Sequence, residues 1–314
     1  MKNLVAIIAG DPDSINTEII GKMWKKRSSL KRINFFVIGN YNLIKIQLKN
    51  LKIKVNLKKI NSIKEQNFKK NLLVYDISFQ GKKAYIKNSI NLGVELAKSK
   101  KILGFVNCPI NKRDIFGDKN SGITEFIAKK FSLIGREAML IYNNKLSVSP
   151  MTTHVSLKNV SKNITKNKIV RKIESINNFY KNKLKFYPKI GVIGLNPHND
   201  ELRRNSEEKK IIIPAIKFLK KKKVRVEGPI SGDTAFLNYK KKGYNVLVGM
   251  YHDQVLAPFK ALFGFNAINI TVGIPILRIS PDHGTGKDIK NKNKADPTSL
   301  IEAVKFFTNK NVKT

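Results

Sequence analysis

The stretch "NVLVGMYHD", residues 245–253, decides the fold. Val246–Met250 is apolar almost throughout, where a strand with one wet face would alternate polar and apolar residues. A run without alternation fits a strand covered on both faces, as in a parallel sheet flanked by helices. The run then stops abruptly, and His252, Asp253 and Gln254 stand side by side where the strand ends.

Outward from this stretch the pattern repeats. "LVAIIAGDP" (4–12), "INFFVIGN" (33–40), "ILGFVNCPI" (102–110), "AMLIYNN" (138–144), "KIGVIGLNPH" (189–198) and "INITVGIPILR" (268–278) read as strands. Between them "NSINLGVELAKSKK", "ITEFIAKKFSLI", "NKIVRKIESINNFYKNK" and "SEEKKIIIPAIKFLKKKK" place apolar residues at roughly helical spacing. Alternation of strand and helix predicts an α/β fold around a mostly parallel sheet. The Lys/Asn-rich stretch from about Asn50 to Asn71 is expected to be a mobile, solvated edge.

The 314 residues suffice for one large or two medium domains, and 41% of them are hydrophobic. No stretch approaches the roughly 20 apolar residues that span a bilayer, so no membrane partner is expected. The short apolar run at the start ends in Gly10-Asp11-Pro12 and reads as a first buried strand rather than a signal peptide. A single cysteine, Cys108, excludes an intrachain disulfide and a cysteine-type zinc cluster. It fits a reducing compartment, and the expected location is cytoplasmic.

Net charge is +39, from 61 Lys+Arg against 22 Asp+Glu. Such a balance raises nucleic-acid binding through phosphate neutralisation. Against it, only nine of the 61 are Arg, the residue suited to bidentate phosphate and base contacts. The lysines are spread along the chain, and no RNA-recognition motif or paired zinc ligands occur. No specific nucleic-acid partner is expected; the same field draws in small anionic substrates.

There are four histidines: His154 in "MTTHVS", His198 in "GLNPHND", His252 in "MYHDQ" and His283 in "SPDHGTG". Each follows a strand-like run and opens a polar loop, and ligands of open α/β sheets bind at the carboxyl ends of strands. One histidine in such a place is ordinarily a hydrogen-bonded structural residue. Four of four suggest convergence, and three neutral imidazoles with an open position describe a divalent-metal centre. Other polar clusters sit similarly: "GDPDS", "NCPINKRD" with Lys112, and "GPISGDTAF" with Asp233 and Thr234. Lys260 and Arg278 add cations for a phosphorylated, carboxylated small molecule. The loop "DHGTGKDIKNKNKADPTS" (282–299) could meet a nucleotide, and no GxGxxG follows the first strand.

Taken together, "GLNPH", "MYHDQ", "NITVGIPILR", "DHGTGKDI" and "KADPTS", with "TTH", "GDTAF" and the opening "GDP", resemble the 4-hydroxythreonine-4-phosphate dehydrogenase family of vitamin B6 biosynthesis. The resemblance implies a fold related to the isocitrate and isopropylmalate dehydrogenases, with two α/β domains and an interdomain cleft. Residues 1–127 with about 285–314 would form the first domain. Residues from about 128 to 284 would form the second, carrying the metal site and dimer contacts of a homodimer with shared active sites. The implied reaction is NAD-dependent oxidation of 4-phosphohydroxy-threonine, followed by decarboxylation. A divalent metal (zinc, cobalt or magnesium) is implied on His154, His198 and His252, with Asp253 as a partner of His252. Substrate contacts are implied at Thr124, Lys260, Asn269 and Arg278; the resemblance assigns no catalytic proton acceptor and no NAD contacts.

Three stretches depart from the family pattern. Ile123 stands where the family has a substrate-contacting histidine. "GDPDSINTE" replaces a stretch close to GDPAGIGPE, losing two glycines and a proline. "HNDELRRNSEE" replaces a glycine-rich run after His198. Ile123 favours, as alternative, a paralogue acting on a four-carbon sugar-acid phosphate such as threonate or erythronate phosphate. A non-catalytic metabolite-binding relic of the fold is the rival from outside the enzyme class.

Overall fold

The computed structural model describes residues 3–30, 32–64, 66–117, 122–264 and 266–308. The chain forms two compact units, Met1–Ile123 with Phe265–Asn269 and Pro275–Thr314, and Thr124–Gly264 with Ile270–Ile274. In chain order the first unit contributes β1 (Leu4–Ile8), β2 (Asn34–Gly39), β3 (Leu57–Ile60), β4 (Leu72–Asp76) and β5 (Gly104–Asn107). The second contributes β6 (Ala138–Tyr142), β7 (Ser147–Pro150), β8 (Ile190–Ile193), β9 (Val226–Ile230) and β10 (Val246–Gly249). The chain then passes through β11 (Ile268–Val272), and β12 (Arg278–Pro281) belongs to the first unit.

In the first unit the strands run in the order β3-β4-β2-β1-β5-β12, every pairing parallel. All five residues of β1 are buried, with Ile7 registered between Val37 and Val106. Continuous burial is what an apolar run without alternation requires. In the second unit the order is β6-β7-β10-β8-β9. A tight turn makes β6 and β7 antiparallel, closed by the Asn143 N–H donating to the Leu146 carbonyl at 3.2 Å. The β7–β10, β10–β8 and β8–β9 pairings are parallel.

Helices cover these strands with one apolar face each. The helix Lys166–Phe179 starts where the Thr165 hydroxyl accepts from the Lys168 N–H, an N-cap that satisfies one of the free donors of the first turn. It buries Ile169, Ile173 and Ile176 at helical spacing and leaves Lys166 and Lys168 outward. Among its described residues the stretch expected to be a solvated edge holds β3, an edge strand paired with β4, and buries Ile53, Ile60 and Ile63.

Candidate active site

Three of the four histidines share the second unit and leave neighbouring strands. β7, β10 and β8 are adjacent and parallel, so their carboxyl ends form one row. Successive strands stand about 4.8 Å apart. His154 lies in the loop after β7, His252 opens the helix His252–Phe263 after β10, and His198 lies in the turn after β8. His154 and His198 are exposed and His252 is half-buried. His283 follows β12 in the first unit.

The imidazole of His252 meets Asp253 through Nδ1 and Oδ1 at 2.7 Å, which leaves Nε2 as the nitrogen able to take a ligand. His198 begins an unusual turn: His198, Asn199, Asp200, Glu201 and Leu202 are all left-handed, with φ of 49°, 59°, 49°, 48° and 56°. Its strand end is fixed by Glu208, a fully buried carboxylate. Oε1 of Glu208 accepts from the Leu195 and Asn196 N–H groups at 2.7 and 2.8 Å. Asp233, at the start of the helix Gly232–Lys242, is held below the usual carboxylate range. The Ser231 hydroxyl does this chiefly, with the Thr234 N–H and the positive potential of His198 adding. Donor chemistry and the shared row of strand ends fit a divalent metal. Among the described residues no three His, Cys, Asp or Glu side chains stand close enough to enclose one.

The remaining expected residues fall in both units. In the second, the Thr124 hydroxyl lies 3.4 Å from that of Thr271, and Lys260 sits two turns along the His252 helix. In the first, Arg278 is buried and its Nε donates to Oδ1 of Asn107. Asn269 is half-buried with its Oδ1 out of reach of water and of any hydrogen-bond donor. Lys112 is exposed at the start of the helix Lys112–Phe116. Ile123 is 5% exposed, so its branched side chain is packed rather than presented to water. Ser121 of "SGITEF" lies outside the described residues.

The altered loop after β1 is rebuilt with side chains. Nδ2 of Asn16 donates to the carbonyls of Ala9 and Pro109 at 2.9 and 2.8 Å, pinning this loop to the one after β5. Lys82 binds Asp11, Asp13 and Asp114 at 2.9, 3.4 and 2.7 Å, and Asp13 also meets Lys290 at 3.2 Å. Glycine freedom is thus exchanged for hydrogen bonds and ion pairs. Gly10 keeps its φ of 73° and lies so close to Asn16 and Cys108 that a Cβ would meet both at 2.7 Å. Sequence reading gave no role to Asn16, Lys82, Glu208 or Gln254. The signal available was position alone, since each stands beside or inside a strand-end motif.

The fold and its strand-end residues define an α/β protein built around mostly parallel strands, with its polar groups gathered where those strands end. Residues 31–307 match the family model described as "Pyridoxal phosphate biosynthetic protein PdxA", and the chain belongs to that family. A 4-hydroxythreonine-4-phosphate dehydrogenase of Sulfurihydrogenibium sp. is 38% identical over 96% of both chains. A protein of Oceanobacillus iheyensis named for D-threonate 4-phosphate dehydrogenase activity is 33% identical over 96% of both. The crystal structure of the 4-hydroxythreonine-4-phosphate dehydrogenase of Klebsiella pneumoniae superposes with a TM-score of 0.84 at 27% identity. That likeness covers 98% of this chain and 99% of the other.

Proposed function

We propose that this protein oxidises the hydroxyl carbon of 4-phosphohydroxy-threonine with NAD, and that the β-keto acid so formed loses carbon dioxide, a step in vitamin B6 biosynthesis. One observation carries the reading: a member of this family places His154, His252 and His198 on the ends of three contiguous parallel strands. A divalent metal such as zinc, cobalt or magnesium held there supplies Lewis acidity to an alcohol oxygen. The protein's own groups do the rest. Asp253 orients His252, and Glu208 fixes the strand end that leads to His198. Thr124, Lys260, Asn269 and Arg278 bind the polar ends of the substrate, the two cations balancing phosphate and carboxylate. NAD, when bound, would supply the nicotinamide that accepts the hydride.

The second unit carries the metal site and the contacts of a homodimer, in the cytoplasm. Leu157, Leu237 and Leu262 of this unit are 71%, 80% and 52% exposed, apolar surface that a second copy would cover. No helix among the described residues is long and apolar enough to cross a membrane.

A second reading is favoured by Ile123. Its packed, apolar side chain cannot offer a hydrogen bond to an amino group, and the Oceanobacillus relative is named for threonate phosphate. The alternative substrate is therefore a four-carbon sugar-acid phosphate. NADH production by the metal-loaded protein, with each substrate in turn, decides between them. A protein that turns over neither is the non-catalytic relic.

A further inference from the structure

Lysines scattered along the sequence are gathered by the fold of the second unit at one end of its sheet. β7, β10, β8 and β9 are adjacent and parallel, so their amino ends form a second row, opposite the end that carries the histidines. The segments leading into these strands are "NNKL" (143–146), "KKKGYN" (240–245), "KNKLKFYPK" (181–189) and "KKKKVR" (220–225), and none contains an aspartate or glutamate. Hydrogen bonds tie them into one surface. The Asn245 carbonyl accepts from the Ser147 N–H at 2.9 Å, the Asn245 N–H donates to the Lys189 carbonyl at 2.9 Å, and the Lys189 N–H donates to Oδ1 of Asn245 at 2.8 Å. The Ile190 N–H donates to the Arg225 carbonyl at 2.8 Å. Two carboxylates meet this face: Glu227 pairs with Lys189 at 2.9 Å and Glu174 with Lys222 at 2.6 Å. Aromatic rings stand among the cations. Phe186 and Tyr187 are 43% and 52% exposed, and the Phe186 ring is steadied edge to face by buried Tyr180, with centroids 5.2 Å apart. The Lys181 ammonium lies 5.5 Å from the Tyr187 ring, and those of Lys166 and Lys222 lie 5.4 and 4.8 Å from the ring of exposed Phe218.

We propose that this face binds single-stranded nucleic acid without sequence preference. Cations crowded on one surface repel one another, and a polyanion relieves that repulsion while releasing its own counterions. Lysine meets phosphate as a point charge and reads no base, and Arg225 is the one arginine in the four segments, so the contacts carry no sequence code. Exposed rings flanked by ammonium groups offer faces on which unpaired bases stack. A duplex keeps its bases stacked on each other and would use the lysines alone. An anionic bilayer would draw the same lysines, but proteins that lie on bilayers do so through a continuous apolar helix face. Here the exposed apolar groups are separate rings, Phe186 and Tyr187 in a loop and Phe218 on a helix. Four strands about 4.8 Å apart make a row roughly 15 Å wide, enough for a few nucleotides. The face occupies the other end of the strands that carry the histidines, so the inference is independent of the reaction proposed above.

The test is fluorescence anisotropy of a labelled uridine oligonucleotide of about 16 nucleotides, titrated with the full chain across a range of potassium chloride concentrations. Wild type should bind with Kd of about 1–100 μM at physiological salt and weaken about 100-fold from roughly 50 to 200 mM, the slope for about five phosphate contacts. A quadruple variant, Lys185→Gln, Lys221→Gln, Lys223→Gln and Lys241→Gln, removes exposed charges from three of the segments. It should bind at least about tenfold more weakly at low salt, with the salt slope reduced by up to about 3. Its control removes the same charge from exposed positions of the first unit, Lys45→Gln, Lys49→Gln, Lys54→Gln and Lys58→Gln, and should keep the wild-type slope. Tyr187→Ser should lose about fivefold to 100-fold in affinity with the slope unchanged, the mark of lost stacking rather than lost charge. Should Tyr187→Ser fail to fold, the two lysine variants and a duplex of the same length decide. No binding by wild type, equal weakening of both lysine variants, wild-type affinity in folded Tyr187→Ser, or a duplex bound as tightly as the single strand overturns the proposal. So do phosphatidylglycerol vesicles bound while the oligonucleotide is not, which would make the face a membrane contact.

Discussion

Replacing Glu201 and Leu202 by glycine should stabilise the protein, although glycine usually weakens folded structure. Both residues lie in the left-handed run after His198, with φ of 48° and 56°. Left-handed helical geometry costs an L-residue roughly 1–2 kcal/mol, less for Asn and Asp, whose side chains bond locally. The strain therefore concentrates on Glu201 and Leu202 rather than on Asn199 and Asp200. Glycine removes it and returns about 0.5–1 kcal/mol of unfolded-state entropy per site, for a net gain of about 1–2 kcal/mol in the double variant. Little else is lost. Leu202 is 42% exposed, and the Glu201–Arg203 ion pair, at 3.5 Å and open to water, is worth almost nothing. Unfolding entropy of about 2.1 cal/mol/K per residue gives about 660 cal/mol/K for 314 residues, so Tm should rise by about 1.5–3 °C. Urea unfolding should show a higher midpoint with an unchanged slope. Leu237→Gly is the control: it is more exposed, at 80%, but lies in the right-handed helix Gly232–Lys242, and should lose about 1 kcal/mol. A double variant destabilised like Leu237→Gly would refute the strain and the backbone path that requires it.

His154→Ala, His198→Ala and His252→Ala should each stay folded and lose stoichiometric metal by elemental analysis, while His283→Ala keeps it; full occupancy in His198→Ala contradicts the three-histidine centre. Lys172 donates to the carbonyls of Pro150 and Met151 at 2.6 and 3.1 Å, and burial, opposed by Glu137 and Glu125, pushes its ammonium from 10.5 down to about 8. Between those values the unfolded chain holds a proton that the folded one has released. Its contribution therefore rises with pH from about 8 to about 10.5, by up to roughly 3 kcal/mol. Wild-type minus Lys172→Met unfolding free energy should rise across that window, and parallel curves would contradict the burial of that charge. Ile123→His should raise kcat/KM for 4-phosphohydroxy-threonine by about one to two decades if that substrate is used poorly, and lower it for threonate phosphate if that is native. No change in either places residue 123 away from the substrate.

The strands legible in sequence were those buried on both faces. β1, β2, β5, β8 and β10 announce themselves because almost nothing polar interrupts them, and β6 and β11 were read as well, the latter despite Asn269 and Thr271. Those hidden from a period argument are short or carry polar residues inward. β7 buries Ser147 and Ser149 completely, Ser147 meeting the Tyr180 hydroxyl at 2.8 Å, so its "SVSP" looks like a loop. β3 sets two adjacent lysines between Leu57 and Ile60 at a sheet edge, and "INITVGIPILR" is two strands, divided at Gly273, whose φ of 85° and near approach to the Arg136 carbonyl exclude a side chain. The histidines were legible because each ends a strand. Their adjacency was not, since β7, β10 and β8 come together only through a crossover order that no local pattern encodes. The bonding of Gln254 was hidden for a related reason: its partners, Met250 and Gly194, are backbone groups, and one of them is 60 residues away.

The most direct measurement of the central claim is NADH formation by purified, metal-loaded protein given NAD and 4-phosphohydroxy-threonine, repeated after chelation and after metal is restored. The account predicts NADH production with release of carbon dioxide, its loss on chelation and its return with the divalent ion. Threonate phosphate turned over in its place would move the substrate while leaving the chemistry. Turnover indifferent to chelation, or none with any phosphorylated hydroxy acid, would contradict the account.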